Sequence, residues 1–217
     1  RVDVLPITYD FVPKEVFQNY FSRLYGFDFE GDRLKAMHYA GIKEVLFFVV
    51  PENMICSEPI AFNARIEQAG VSHVVVVVGM KSKITVIDSM QSNGYGASVV
   101  REVFVDEKAE VLYQSLNDVG DGFDFSTLLF SLKRESILNV GDVLIGGKIS
   151  NHTVSIQHEE RGSRSEYESV LVSGRGGEYT VLTETIHAKE HTTGSMRIGG
   201  VVAEESKILS RSLIRVE

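Results

Sequence analysis

The 217-residue chain has no tryptophan, a single cysteine and only four prolines, all of them before residue 60. One thiol, Cys56, excludes a disulfide framework and a cysteine-rich zinc site within the chain. With no disulfides to form, a reducing cytoplasm is the expected compartment. Long apolar runs are also missing. The longest are Val45–Val50 and Val74–Val78, far short of the roughly 20 residues that span a bilayer. The first residues, Arg1 to Asp10, lack the apolar centre of a signal peptide. Positive charge is scarce, with 22 Lys and Arg against 30 Asp and Glu, a net charge of −8. Nucleic acid and anionic membranes both demand a basic footprint, so neither is an expected partner.

What is present is a composition that can build a core: 43% hydrophobic and 24% charged residues. The N-terminal part reads differently from the rest. In Pro13 to Tyr25, Val16, Phe17, Tyr20, Phe21 and Leu24 recur at helical spacing, between Pro13 as a first position and Gly26 as a cap. A second short helix is expected at Asp32 to Tyr39. The division is therefore a helical cap region over 1–43 and a β-rich domain over 44–217.

From Glu44 onward strand follows strand. They read at Val45–Val50, His73–Val78, Lys83–Asp88, Val99–Val105, Glu110–Gln114, Thr127–Leu132, Ile137–Val140, Val143–Ser150, Thr153–His158, Glu166–Val172, Tyr179–Ile186, Ser195–Val201 and Lys207–Val216. The five consecutive valines do not alternate with polar residues, so that strand is covered on both faces or lies in a parallel sheet. No proline follows Pro59, which suits uninterrupted ladders. A degenerate repeat also emerges. A small residue precedes alternating apolar positions at Ser82, Ala109, Ser136, Gly177 and Ser206, at intervals of 27, 27, 41 and 29 residues. Periods of this length without long helices point to a β-solenoid with an aliphatic axis, each small residue marking a sharp bend. The alternative is a sandwich with irregular hairpins.

Few residues carry chemistry by type and spacing. Cys56 is the one soft ligand, and a thiolate-bound metal group needs several thiolates, so one held here borrows ligands from elsewhere; otherwise Cys56 is a small buried thiol. His187 and His191 lie four apart, but their threonine-rich surroundings argue for strand or turn, and four extended residues span about 13 Å. A tight turn at Ala188–Glu190 is needed to bring the pair onto one metal ion. His73, His152 and His158 read as strand-surface or hydrogen-bonded residues. Gly174-Arg-Gly-Gly177 precedes a strand rather than a helix, so it reads as a bend and not a phosphate cradle. Gly120-Asp-Gly122, flanked by Asp118 and Asp124, reads as a solvated loop. There is no G-x-S-x-G nucleophile elbow, and no spacing singles out a catalytic carboxylate pair.

Several segments, in order, resemble the SufB/SufD family. Phe48-Val-Val-Pro-Glu-Asn-Met-Ile-Cys-Ser-Glu-Pro-Ile60 resembles its first rung, and His73-Val-Val-Val-Val-Val-Gly-Met-Lys-Ser-Lys-Ile-Thr-Val-Ile-Asp88 the following one. Glu110-Val-Leu-Tyr-Gln-Ser-Leu-Asn117 is similar to the next. Thr185-Ile-His-Ala-Lys-Glu-His-Thr-Thr-Gly-Ser-Met-Arg-Ile-Gly-Gly-Val201 is the sharpest match, and Lys207-Ile-Leu-Ser-Arg-Ser-Leu-Ile-Arg-Val216 continues it.

The resemblance covers Glu44 to the end and implies a mainly β fold, a right-handed parallel β-helix. It implies a scaffold for iron–sulfur cluster assembly in the SUF system, not an enzyme. It also implies a SufC-like ABC ATPase as partner, and dimerisation with a SufB/SufD-like paralogue or a second copy. It makes His187 a recurrent family position. The chain departs from the family by stopping at Glu217, without the later rungs, the helical ATPase-docking region or the SufB-type assembly residues, and Thr127–Val140 has no internal cysteine. A fragment, or the ordered part of a longer protein, is the expectation. The rival readings are a carbohydrate-active β-helix enzyme and an ABC-ATPase subunit with no cluster role.

Overall fold

The computed structural model describes residues 3–7, 13–28, 30–67, 69–92 and 96–217. Its strands are β1 (Asp3–Ile7), β2 (Val45–Val50), β3 (Ile60–Ile66), β4 (Gly70–Val78), β5 (Lys83–Ser92), β6 (Ala97–Val105) and β7 (Glu110–Asp118). They continue through β8 (Phe123–Leu132), β9 (Ile137–Ile145), β10 (Ile149–His158), β11 (Arg164–Val172), β12 (Glu178–His187), β13 (Thr193–Val201) and β14 (Lys207–Val216). The even-numbered strands, with β1 at their edge, form one sheet in the order β1-β2-β4-β6-β8-β10-β12-β14, and the odd-numbered strands from β3 on form the other, β13-β11-β9-β7-β5-β3. Every pairing is parallel except β1 with β2. The chain thus winds as the expected parallel β-helix, each turn laying one strand on each sheet. Among the described residues no helix is long and apolar enough to cross a membrane.

The turns explain the irregular repeat. At one corner the chain bends at 79–82, 106–109, 133–136, 160–163 and 189–192, and the third residue of each bend is left-handed: Lys81, Lys108, Glu135, Gly162 and His191, with φ between +55° and +76°. The small or hydroxyl residue that follows is Ser82, Ala109, Ser136, Ser163 or Thr192. In the first three bends its N–H donates back to the carbonyl of Gly79, Asp106 or Lys133. Gly177 and Ser206 close equivalent bends at the opposite corner, bonding back to Gly174 and Ala203. The interval of 41 residues joined positions on two different corners, a turn and a half apart; Ser163 and Thr192 are the copies that complete the first series.

Other differences are local. The expected strand Val143–Ser150 is split, because Gly146 and Gly147 both take positive φ (+76° and +88°) and turn the chain onto Gly120 and Gly122. β3 was not expected, since its sequence, IAFNARI, mixes polar residues into a partly exposed strand. β1 was not expected either. The first helix, α1 (Lys14–Tyr20), is shorter than its apolar pattern because Phe21 turns extended (ψ 123°) and Ser22 is left-handed (φ 53°). The second, α2 (Arg33–Gly41), starts where Asp32 accepts the Lys35 N–H at 2.9 Å.

The valine run has the double cover its sequence demands. Val74, Val76 and Val78 point into the solenoid with Phe48, Val103, Phe130 and Ile156. Val75 and Val77 face outward with Val45, Phe47 and Phe104, beneath Val16, Phe17, Tyr20, Phe21 and Leu24. Each such side chain contributes about 1.5–3 kcal/mol when fully buried. A polar joint fixes the cap as well. Fully buried Glu102 accepts the N–H groups of Ser22 and Leu24 at 2.7 Å and of Tyr25 at 3.2 Å.

The first complete corner sets a steric test. A Cβ on Gly79 would lie 2.7 Å from the Glu52 nitrogen and 2.8 Å from the Val50 oxygen, both main chain. Gly79→Ala is expected to cost about 1–3 kcal/mol, read as a lowered thermal midpoint by circular dichroism.

Candidate functional site

Alternation along each strand decides what enters the solenoid, and the interior is not uniformly aliphatic. On the odd-numbered sheet, β5, β7, β9 and β11 stack Asp88, Ser115, Asp142 and Ser169 in one column. All four are buried. The two aspartates lie two rungs apart, roughly 10 Å at ladder spacing, and each is answered in the same way. Tyr113 donates its hydroxyl to Asp88 at 2.7 Å, and Tyr167 to Asp142 at 2.8 Å. A basic side chain reaches each from the opposite sheet. Arg101 Nε lies 2.8 Å from Asp88 Oδ2, and its Nη1 donates to the Ser72 carbonyl and hydroxyl. His152 Nε2 lies 2.7 Å from Asp142 Oδ2.

The His152 proton count follows from its neighbours. Ser126 gives its hydroxyl proton to Asp124 at 2.9 Å, so at 2.6 Å it accepts from His152 Nδ1. Nε2 lies within ion-pair distance of Asp142 but out of line for a hydrogen bond, and the acid favours the protonated ring. Burial alone would lower its pKa, but Asp142 outweighs burial and raises it. Burial likewise pushes Asp142 up, and His152 brings it to a net value below the usual range. Asp124, placed on a solvated loop by the sequence reading, is fully buried, and that burial lifts it to about 6. Burial, then the adjacent aspartates, hold Tyr113 and Tyr167 well above the ordinary phenol value. The expected aliphatic axis is therefore corrected: apolar side chains fill much of it, and paired charges fill the stretch from Asp88 to Tyr167.

The residues singled out by sequence sit apart from this column. Cys56 is half-buried against the main core and is a free thiol; its N–H donates to Lys83 O at 2.9 Å. His187 lies at the end of β12, with Nδ1 2.8 Å from Thr192 Oγ1. The bend after it brings Thr192, not His191, to that ring, and His191 itself is exposed at the left-handed corner. His187 instead stacks on His158 one rung below, ring centres 4.7 Å apart and planes 5° from parallel. His158 is buried between Ser163 and Ser165 (2.8 and 3.0 Å). Burial and His187 lower it to about 4. His73, His152 and His158 are all hydrogen-bonded, and none is a surface residue. Among the described residues no group of three or more His, Cys, Asp or Glu gathers to hold a metal ion. One thiol with no neighbouring ligand does not fit a resident cluster.

Sequence reasoning missed the paired aspartates, though a signal existed. Asp88 falls on the inward phase of Ile84, Val86 and Met90, and Arg101 on that of Val99 and Val103. A charge in the apolar phase of a strand announces a buried partner.

These features define a parallel β-helix whose rigid core is locked by buried charge pairs. A family model described as "SUF system FeS cluster assembly, SufBD core domain" matches residues 61–217, and the chain belongs to that family. It is 27% identical over 90 residues to an iron–sulfur cluster assembly SufBD family protein of Synechocystis sp.. That match spans 41% of this chain and 20% of the relative's length.

Two outcomes follow. Arg101→Leu leaves Asp88 as a lone buried charge and is expected to cost about 3–5 kcal/mol. Adding Asp88→Asn removes the stranded charge, still accepts from Tyr113, and should recover more than half of that loss in urea titrations. The pH response has a definite sign at His158. Between its ordinary 6.5 and its folded value of about 4, the unfolded chain takes up a proton that the folded one refuses. His38, lowered to about 3 by burial, then by His73 and Arg101, acts in the same direction. Asp124 acts oppositely below about 6. The stability held by neutral His158 is thus present above pH 6.5 and lost as pH falls toward 4. His158→Gln should flatten the thermal midpoint against pH between 7 and 4.5.

Proposed function

We propose that this chain is a scaffold component of the SUF iron–sulfur cluster assembly machinery, acting in the cytoplasm with a SufC-like ABC ATPase. The observation that carries this reading is the match of the SufBD core domain to 61–217, the stretch that lies on β3 through β14. The physics of the fold supports it. A solenoid whose turns are joined by continuous parallel ladders moves as a unit, so a force applied by a partner at one place is transmitted along the body. The mechanism is positional: ATP hydrolysis in the partner shifts two such bodies relative to one another. The second body is a SufB/SufD-like paralogue or another copy, joined by strand pairing. The cluster is cargo, transient on the assembly, and its ligands come from outside the residues described here, because Cys56 stands alone.

The test is co-expression of the full-length protein with a SufC-like ABC ATPase, followed by affinity capture and native mass spectrometry. A stoichiometric complex is expected. Clean separation of the two at micromolar concentration would overturn the reading.

A further inference from the structure

The cap joint contains more than packing. Glu102 Oε1 accepts from Ser22 N–H and from His73 Nε2 at 2.9 Å, and Oε2 accepts from Leu24 and Tyr25. A carboxylate accepting four donors is ionised and has no proton to give, so His73 Nε2 carries the hydrogen of that bond. His73 Nδ1 lies 3.1 Å from His38 Nε2, a contact whose direction is set by the tautomers of the two rings. When His73 is neutral, His38 Nε2 is the donor there and its Nδ1 the acceptor. That Nδ1 lies 2.9 Å from Ser98 Oγ. Short contacts thus link four groups in a line, Ser98 hydroxyl, His38, His73 and Glu102, ending on a buried carboxylate. This is the order of nucleophile, base and orienting acid found in activated serines, with a second imidazole interposed.

Placement matches the chemistry. Glu102, His73 and His38 are sealed from solvent, whereas Ser98 is only half-buried. Ser98 lines a groove of about 810 Å³ between α2 and the solenoid. Leu34, Met37, Ile66, Val71, Phe123 and Phe125 make its walls apolar, and at its rim Lys43 and Arg65 are balanced by Glu44 and Glu67. Nothing else in the molecule places a hydrogen-bonded hydroxyl, a histidine base and an apolar recess together among the described residues.

We propose that Ser98 is an activated nucleophile that takes an acyl group from esters of medium-length apolar acids bound in this groove. Ser98 Oγ adds to the ester carbonyl carbon as its proton passes to His38 Nδ1. The tetrahedral oxyanion collapses, the alkoxide leaves with the proton from His38, and an alcohol departs. Water repeats the sequence on the acyl-serine, releasing the acid and restoring the hydroxyl. Burial keeps His38 uncharged and also weakens it as a base, so its uptake of the Ser98 proton depends on Glu102 acting through His73. The imidazolium formed in the transition state is supported by Glu102 through His73 and by its place in the last turn of α2. His73 and Glu102 are positioning residues.

The test treats the intact protein with a fluorophosphonate probe and maps the adduct by peptide mass spectrometry, alongside hydrolysis of p-nitrophenyl butyrate. The adduct is expected on Ser98 and absent in Ser98→Ala, which also loses hydrolysis. His38→Gln is expected to lower kcat by about 100-fold or more with KM little changed. Glu102→Gln is expected to slow labelling while the thermal midpoint still reports a folded chain. No adduct on Ser98 of the unaltered protein overturns the proposal, whether or not the variants fold. Labelling of folded His38→Gln at the unaltered rate also overturns it.

Discussion

Hydrogen bonding between successive turns in parallel register is the constraint on which everything else in this molecule rests. Once Asp88 pairs with Ser115, and Ser115 with Asp142, each inward side chain has a fixed neighbour above and below. It also has a fixed partner across the interior. Such a body cannot absorb a charge by shifting register, because a slip of one residue would turn every inward side chain outward. Buried acids must therefore be matched where they stand, and Arg101, His152 and the two tyrosines do so. Pairs of this kind add little net stability against well-packed apolar residues. Their effect is on uniqueness: only one stacking order satisfies both aspartates.

The same logic extends outward to the cap. The outer face of the first turns carries Val75, Val77 and Phe104, which need cover, and the helical segment supplies it. Hydrophobic contact is indifferent to exact orientation; Glu102 is not. By collecting the main-chain donors of Ser22, Leu24 and Tyr25, it sets the angle at which the segment lies, and it orders the two histidines behind it. The solenoid and its cap thus share a fixed polar seam, and Ser98 opens from that seam into the adjoining groove.

Most of the architecture was legible in the sequence, for reasons that differ by element. The β-branched runs at Val45–Val50 and Val74–Val78, and the nearly regular bends, report local energetics directly. β14 was read to its limits, since Lys207–Val216 is an unbroken strand pattern. The glycine split at 146–147 was missed because glycine tolerates both strand and turn. β3 was missed because its strand character comes from pairing with β5, not from its own residues. The site was less legible still. Asp88 and Tyr113 are 25 residues apart, as are Asp142 and Tyr167, and only the length of one turn brings them together. His38, His73, Ser98 and Glu102 come from three elements whose meeting depends on where the cap lands. His187 and His191, adjacent in sequence, are parted by the very bend that seemed able to join them.

One strand runs against the grain. β1 lies antiparallel on β2, from Asp3 opposite Val49 to Ile7 opposite Val45. Solenoids with bare ends risk joining head to tail, each molecule extending the last into a fibre. A reversed strand presents hydrogen-bonding groups in the wrong sequence for another turn of the same winding. At this end, then, the molecule carries its own stopper against runaway growth, made from only five residues.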